Sequence, residues 1–135
     1  MKPVWVLDTN VLVSAALTAG GTCDQVLRAA VGGHVTLAWS APMMVEYRDV
    51  LLRPKFKFRP ATVAALLSAF DPAHQVPAGK APALPDPDDE IFLAAALSTP
   101  DRVLITGNTA HFPAKLCRPV KVLTPAAALQ TLTPT

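Results

Sequence analysis

The sequence predicts an α/β protein, a parallel sheet with helices on both faces. Three observations predict it. Short runs rich in Val, Leu and Ile, of the kind a strand needs when both its faces are buried, recur at Val4–Leu7, Val35–Trp39, Arg102–Thr106 and Lys121–Leu123. Segments with helical periodicity lie between them, and strand–helix alternation is the pattern of parallel sheets. The 135 residues, 51% hydrophobic and 16% charged, suit one compact domain, expected over residues 1–135.

Each element has a local cause. Val4–Leu7 is an unbroken apolar run that Asp8 ends. Val11–Leu17 reads as a helix broken at Gly20-Gly21, and Asp24–Val31 as a second helix ended by Gly32-Gly33. After Val35–Trp39, Ser40 is a suitable N-cap and Pro42 fits the first turn of a helix over Met43–Leu52, which Pro54 closes. Pro60 opens a further helix through Phe70, stopped by Asp71-Pro72. Residues 72–87 hold five of the fourteen prolines, so they form a loop with at most a short edge strand near Gln75-Val76. Asp88–Leu97 reads as a helix with an acidic first turn, and Pro125 starts the last helix, through Leu132.

Several classes of protein are excluded or disfavoured. No stretch reaches the roughly 20 apolar residues that span a bilayer, and the apolar run before Asp8 is too short for a secretory signal, so a cytoplasmic location is expected. Cys23 and Cys117 lie far apart without metal-ligand spacing, which favours free thiols over a disulfide or a zinc site. The net charge is only +2, but six of the ten acids (Asp8, Glu46, Asp86, Asp88, Asp89, Glu90) fall in three short segments. Five of the twelve basic residues crowd between Arg48 and Arg59. Concentrated acids on an otherwise basic chain suit a polyanion bound through metal ions.

In open α/β sheets, ligands collect outside the carboxyl ends of the strands. Asp8 ends the first strand there. Its carboxylate, directly after apolar strand residues, needs either a cation or a capping position on the following helix. Asn108 ends a second strand in Ile105-Thr106-Gly107-Asn108, where its amide can orient a water or simply make a turn. Asp86-Pro87-Asp88-Asp89-Glu90 places four acids within five residues; a helix N-terminus accommodates about two, and a divalent cation would relieve the rest. Glu46, in the apolar Met43–Leu52 segment, fits a surface position equally well. Arg53, Lys55 and Lys57 alternate with Phe56 and Phe58, either as a phosphate-tracking, base-stacking surface or as a loop anchored by its rings. His111 beside Phe112 could meet the substrate, though a lone histidine in a short turn is more often structural.

Taken in order, Asp8-Thr9-Asn10-Val11-Leu12-Val13-Ser14-Ala15, Glu46-Tyr47-Arg48-Asp49-Val50-Leu51, Asp86 through Ala96, and Leu104-Ile105-Thr106-Gly107-Asn108 resemble the PIN-domain family. The likeness spans about Val4 to Leu123 and is greatest to VapC-type ribonucleases, the toxins of toxin–antitoxin systems. The resemblance implies a three-layer α/β/α sandwich around a mainly parallel, five-stranded sheet. It also implies an endoribonuclease that hydrolyses RNA with Mg²⁺ or Mn²⁺ held by Asp8, Asp89 and Glu46. Asp89 is chosen over Asp88 because Phe92 and Ala96 match the family spacing, with Asp86 and Asp88 as possible helpers. Thr9, Asn10 and Thr106, with Arg53, Lys55 and Lys57, would support the site and meet the RNA. A homodimer and a cognate antitoxin are further implications. Asn108 departs from the aspartate common in the family, which raises an alternative: a catalytically weak scaffold that binds RNA or protein. A haloacid-dehalogenase-type phosphatase fits less well, since Asn10 stands where a second aspartate is required.

Overall fold

The structure, a computed structural model, describes residues 2–132; the other positions of the expected 1–135 domain lie outside the described residues. Strand β1 (Val4–Leu7) leads into α1 (Thr9–Leu17) and α2 (Thr22–Val31). Strand β2 (Thr36–Leu37) is followed by α3 (Ala41–Leu51) and α4 (Pro60–Leu67). After the proline-rich segment come α5 (Glu90–Leu97), β3 (Val103–Ile105), α6 (Ala114–Cys117), β4 (Lys121–Leu123) and α7 (Pro125–Leu132).

All strand pairings are parallel, in the order β2-β1-β3-β4. Trp5, Val6 and Leu7 are all buried although successive strand side chains point to opposite faces, so β1 is covered on both sides. Helix α1 packs on α2 and α3, α2 on α7, and α5 on β1 and β3. Fully buried Trp5, Tyr47, Phe92 and Phe112 are the largest side chains of one continuous apolar cluster. The Tyr47 ring lies 5.1 Å from Phe70 and 6.2 Å from Phe92, centroid to centroid, which ties α3 to α5 through side chains.

The α/β class with a parallel sheet flanked by helices stands, but the described sheet has four strands, not five. The expected edge strand shrinks to one bridge between Trp39 and Gln75. Beyond Val76 the prolines at 77, 82, 85 and 87 cannot donate to a ladder, so pairing stops after Val76 N–H reaches the Trp39 carbonyl at 2.8 Å. Strand β2 is shorter than the Val35–Trp39 run suggests, because only Thr36 and Leu37 pair with β1. The helix expected from Asp88 begins at Glu90, because Pro87–Asp89 winds first as a tighter 3₁₀ turn with Asp86 as its cap.

Caps account for two other helix ends. Ser40 Oγ accepts the Met43 amide at the start of α3, and Pro42 occupies its first turn. At the end of α2 the Gly33 N–H bonds the Ala30 carbonyl and the His34 N–H bonds that of Ala29, with Gly33 at φ 83°. This is a Schellman motif, and its left-handed position is one a glycine adopts without strain.

In the strand order, the chain steps from β1 to one neighbour, β2, and later returns to β1's other side as β3. The crevice between the carboxyl ends of β1 and β3 is therefore the point where the strand order reverses.

Candidate active site

Leu7 pairs with Ile105, so Asp8 and Thr106 emerge side by side at this crevice. The Asp8 amide still bonds the Ile105 carbonyl at 2.9 Å, which holds the residue as an extension of the ladder. Asp8 occupies the N-cap position of α1, yet its carboxylate is used elsewhere. Oδ2 accepts from Thr106 Oγ1 at 2.8 Å and from Asn10 Nδ2 at 3.2 Å. Asp8 is only 7% exposed. Burial raises its pKa above the usual 3.8, against the Thr106 hydroxyl, which lowers it, and Asp89 pushes it up further.

Glu46 comes from α3, which crosses α1. Its Oε2 accepts the Thr9 hydroxyl of α1, a contact that nothing in the sequence around Glu46 foretells. Burial raises the Glu46 pKa, as do Asp8 and Asp88, while the Thr9 bond and nearby Arg53 lower it. The next residue, Tyr47, is wholly buried and donates its hydroxyl to the Leu7 carbonyl at the end of β1. Helix α3 is thereby fixed to the strand that presents Asp8.

Asp89 precedes α5, its side chain 13% exposed. Burial raises its pKa, followed by Asp86; His111 lowers it and Glu46 raises it. Asp8, Glu46 and Asp89, from three separate elements, thus lie close enough to disfavour one another's charge. The other acids of this segment are used differently. Asp86 Oδ1 caps the 3₁₀ turn by accepting the Asp88 amide at 2.9 Å, and Glu90 Oε2 accepts the Leu84 amide at 3.1 Å, fastening the proline-rich loop. Asp88 is exposed.

The residues around the carboxylates form a brace. Asn10 Oδ1 accepts the Gly107 amide at 3.1 Å while its Nδ2 reaches Asp8 and, at 3.4 Å, Thr106 Oγ1. A Cβ added at Gly107 would make only an ordinary contact, 3.5 Å from Asn10 Oδ1. Thr106 Oγ1 also accepts the Asn108 amide at 3.0 Å. Of the five buried polar residues described, Asp8, Thr9 and Thr106 all belong to this cluster, so the fold concentrates its buried polarity here. Asn108 itself is exposed at the start of a 3₁₀ turn, Thr109–His111.

His111, exposed in the turn after β3, lies with Nδ1 3.1 Å from Asp89 Oδ2. Donor atoms of Asp86, Asp89 and His111 all lie within 4.8 Å of one another, a spacing that can hold a metal ion. No local signal could have found this, since 22 residues and a strand separate the two partners. Arg53, Lys55 and Lys57 are exposed on the segment after α3, where Phe56 and Phe58 are partly buried and stacked at 5.4 Å with planes 7° apart. Lys55 Nζ lies 5.0 Å from the Phe56 ring centre, and Arg53 pairs with Asp49 at 3.3 Å. The two rings thus stack on each other at the root of the segment while its cations face water.

A parallel α/β fold with carboxylates gathered where the strand order reverses is an arrangement that can hold a divalent cation. A profile of the PIN domain matches residues 4–110, more than half of the chain, and the chain belongs to the PIN-domain family. No curated protein matches it. PIN domains are generally metal-dependent nucleases that act on RNA. The donor set here fits that requirement: crowded carboxylate oxygens with raised pKa values are hard ligands in want of a divalent cation. Among the described residues no helix is long and apolar enough to cross a membrane.

Proposed function

We propose that this chain is a Mg²⁺- or Mn²⁺-dependent endoribonuclease in which Asp8, Glu46 and Asp89 hold the cation and Asn108 assists. The observation that supports it most is the convergence of three carboxylates, from the residue after β1, from α3 and from the turn before α5, at the point where the strand order reverses, with burial and then their neighbours' charges disfavouring ionisation. A bound divalent ion would neutralise that crowding and polarise a phosphoryl oxygen. Asp8 is kept in place by Thr106 and Asn10, and Glu46 by Thr9. Glu46, held by Thr9, would orient the attacking water and accept the proton it loses as its oxygen bonds phosphorus and the P–O bond to the leaving nucleotide breaks. Arg53, Lys55 and Lys57 would hold the RNA backbone beside the site, a contact that weakens with salt. The Asn108 amide would orient water without adding charge.

The finer reading is that residues 1–135 form one PIN domain acting as a cytoplasmic toxin of a toxin–antitoxin pair, a homodimer restrained by a cognate antitoxin. Exposed Leu17, Val31, Val45 and Leu52 on its helices give it apolar surface for such partners. The test is an adjoining small reading frame: a product that abolishes RNA cleavage would support this, and one that leaves cleavage unchanged would count against it.

The alternative of a non-catalytic scaffold draws on one observation, the exposed and uncharged Asn108 in place of an acid. Cleavage of RNA by the parent with Mn²⁺ or Mg²⁺, lowered at least about hundredfold in Asp8→Asn and Asp89→Asn, is the expected result. Cleavage surviving both substitutions sinks the mechanism. No cleavage by the parent favours the scaffold.

A further inference from the structure

Asp89 has two sets of neighbours. Asp8 and Glu46 share the crevice with it, while Asp86 and His111 flank it from the preceding residues and from the turn after β3. His111 is delivered there by backbone geometry. The His111 amide bonds the Asn108 carbonyl at 3.2 Å, the Phe112 amide bonds that of Thr109 at 3.0 Å, and the buried Phe112 ring anchors the turn in the core. The imidazole thus sits in the turn that follows β3, the same exit from the sheet at which Thr106 donates its hydroxyl to Asp8.

A single six-coordinate ion with ligands at about 2.1 Å spaces its donor atoms about 3 Å apart when adjacent and about 4.2 Å when opposite. The Asp86, Asp89 and His111 donors already fall within 4.8 Å of one another, so they can share one ion with small side-chain adjustments. Their chemistry differs from that of an all-carboxylate site. Mg²⁺ keeps oxygen ligands and much of its water, whereas an imidazole nitrogen favours first-row transition ions.

We propose that His111 is a nitrogen ligand acting with Asp89 and Asp86, and that it makes this cation site select transition ions such as Mn²⁺ over Mg²⁺. The inference rests on the proposed nuclease site only in that Asp89 belongs to both. A competing role is simpler: the histidine merely hydrogen-bonds Asp89 and orients it. The two roles differ in what they do to selectivity. An orienting partner supports whichever ion Asp89 binds, and its loss weakens both ions alike. A nitrogen ligand discriminates, and its loss narrows the difference between them.

The test uses the full chain, stripped of metal by a chelator and free of RNA. Mn²⁺ binding is followed by loss of the free-ion electron paramagnetic resonance signal, and Mg²⁺ affinity by competition. His111→Asn and His111→Gln, at an exposed position, are compared with the parent. The expected result is a loss of about tenfold or more in Mn²⁺ affinity with less than about twofold change for Mg²⁺. The bound Mn²⁺ in the parent should also show nitrogen coupling in pulsed spectra, absent in both His111 variants and retained in His34→Asn and His74→Asn. Equal losses for the two ions, or no nitrogen coupling in the parent, overturn the inference. Asp8→Asn separates the two levels of the reading. If it abolishes ion binding while the His111 variants keep the parent's selectivity, the acidic site stands and the histidine ligand falls. If the parent binds neither ion, both fall.

Discussion

Replacing Asp8 by asparagine should stabilise the metal-free protein and remove its response to metal, two effects of opposite sign from one atom. Asp8 is the one charged side chain among the buried polar residues described. Asparagine has nearly the same shape and keeps an oxygen for the Thr106 hydroxyl, now 2.8 Å away, and the carboxylate's role as a helix cap is already forgone. What disappears is a charge that burial and Asp89 both disfavour. Relief of strain of this kind at functional sites is worth about 0.5–2 kcal/mol. For 135 residues that is a rise in Tm of roughly 2–8 °C. A cation at about a hundredfold over its Kd adds about 2.7 kcal/mol to the parent alone. Thermal unfolding by calorimetry should therefore rank the variant above the parent in chelator and below it in Mn²⁺. Acid should close the first gap. The folded pKa of Asp8 is raised above its unfolded value, so the protonated form's stability is fully present below about 3.8 and is lost as pH rises through the folded value. A variant less stable than the parent in chelator, or one that gains the same shift with Mn²⁺, would refute the reasoning.

Three other substitutions test the scaffold around the site. Thr106→Val removes a buried hydroxyl that donates to Asp8 and accepts the Asn108 amide, and should lower stability by about 1–3 kcal/mol in urea titrations. It should also push the Asp8 pKa still higher, visible in carboxyl NMR titration. Tyr47→Phe leaves the Leu7 carbonyl without its phenol donor inside the core, a loss of about 1–2 kcal/mol with nearly unchanged core volume. Gly33→Ala forces a side chain into the left-handed conformation that closes α2, costing about 1–2 kcal/mol while leaving ion affinity at the site unaltered.

The fold was legible wherever burial dictated residue type. The runs at Val4–Leu7 and Lys121–Leu123 and the helix from Pro125 to Leu132 match the structure, because covered strands need continuous apolar residues and Pro125 fixes where its helix begins. The edge beyond β2 was less so. Gln75-Val76 has strand character, but the ladder depends on donors that the following prolines lack, and a single bridge is all that remains. At the site, Asp8 stood out by its position after an apolar strand and the segment 86–90 by its excess charge, while the choice of Asp89 within that segment came from the resemblance. Glu46 could not, because what sets it apart from a surface glutamate is a threonine 37 residues earlier. His111 was missed for the same physical reason: its partner is supplied by another part of the chain. Asn10 shows a subtler difference. Expected to meet substrate, it is found using both ends of its amide to join α1 to the turn after β3.

That junction bears on when the site comes into being. Asp8 and Thr106 are 98 positions apart, and Asn10 and Gly107 are 97 apart. A ribosome that has joined Asp89 to the chain has yet to add the segment that steadies Asp8. Contacts of such long range form late and slowly. The proposed site would therefore be complete only once β3 and the turn after it have been made and have joined the sheet.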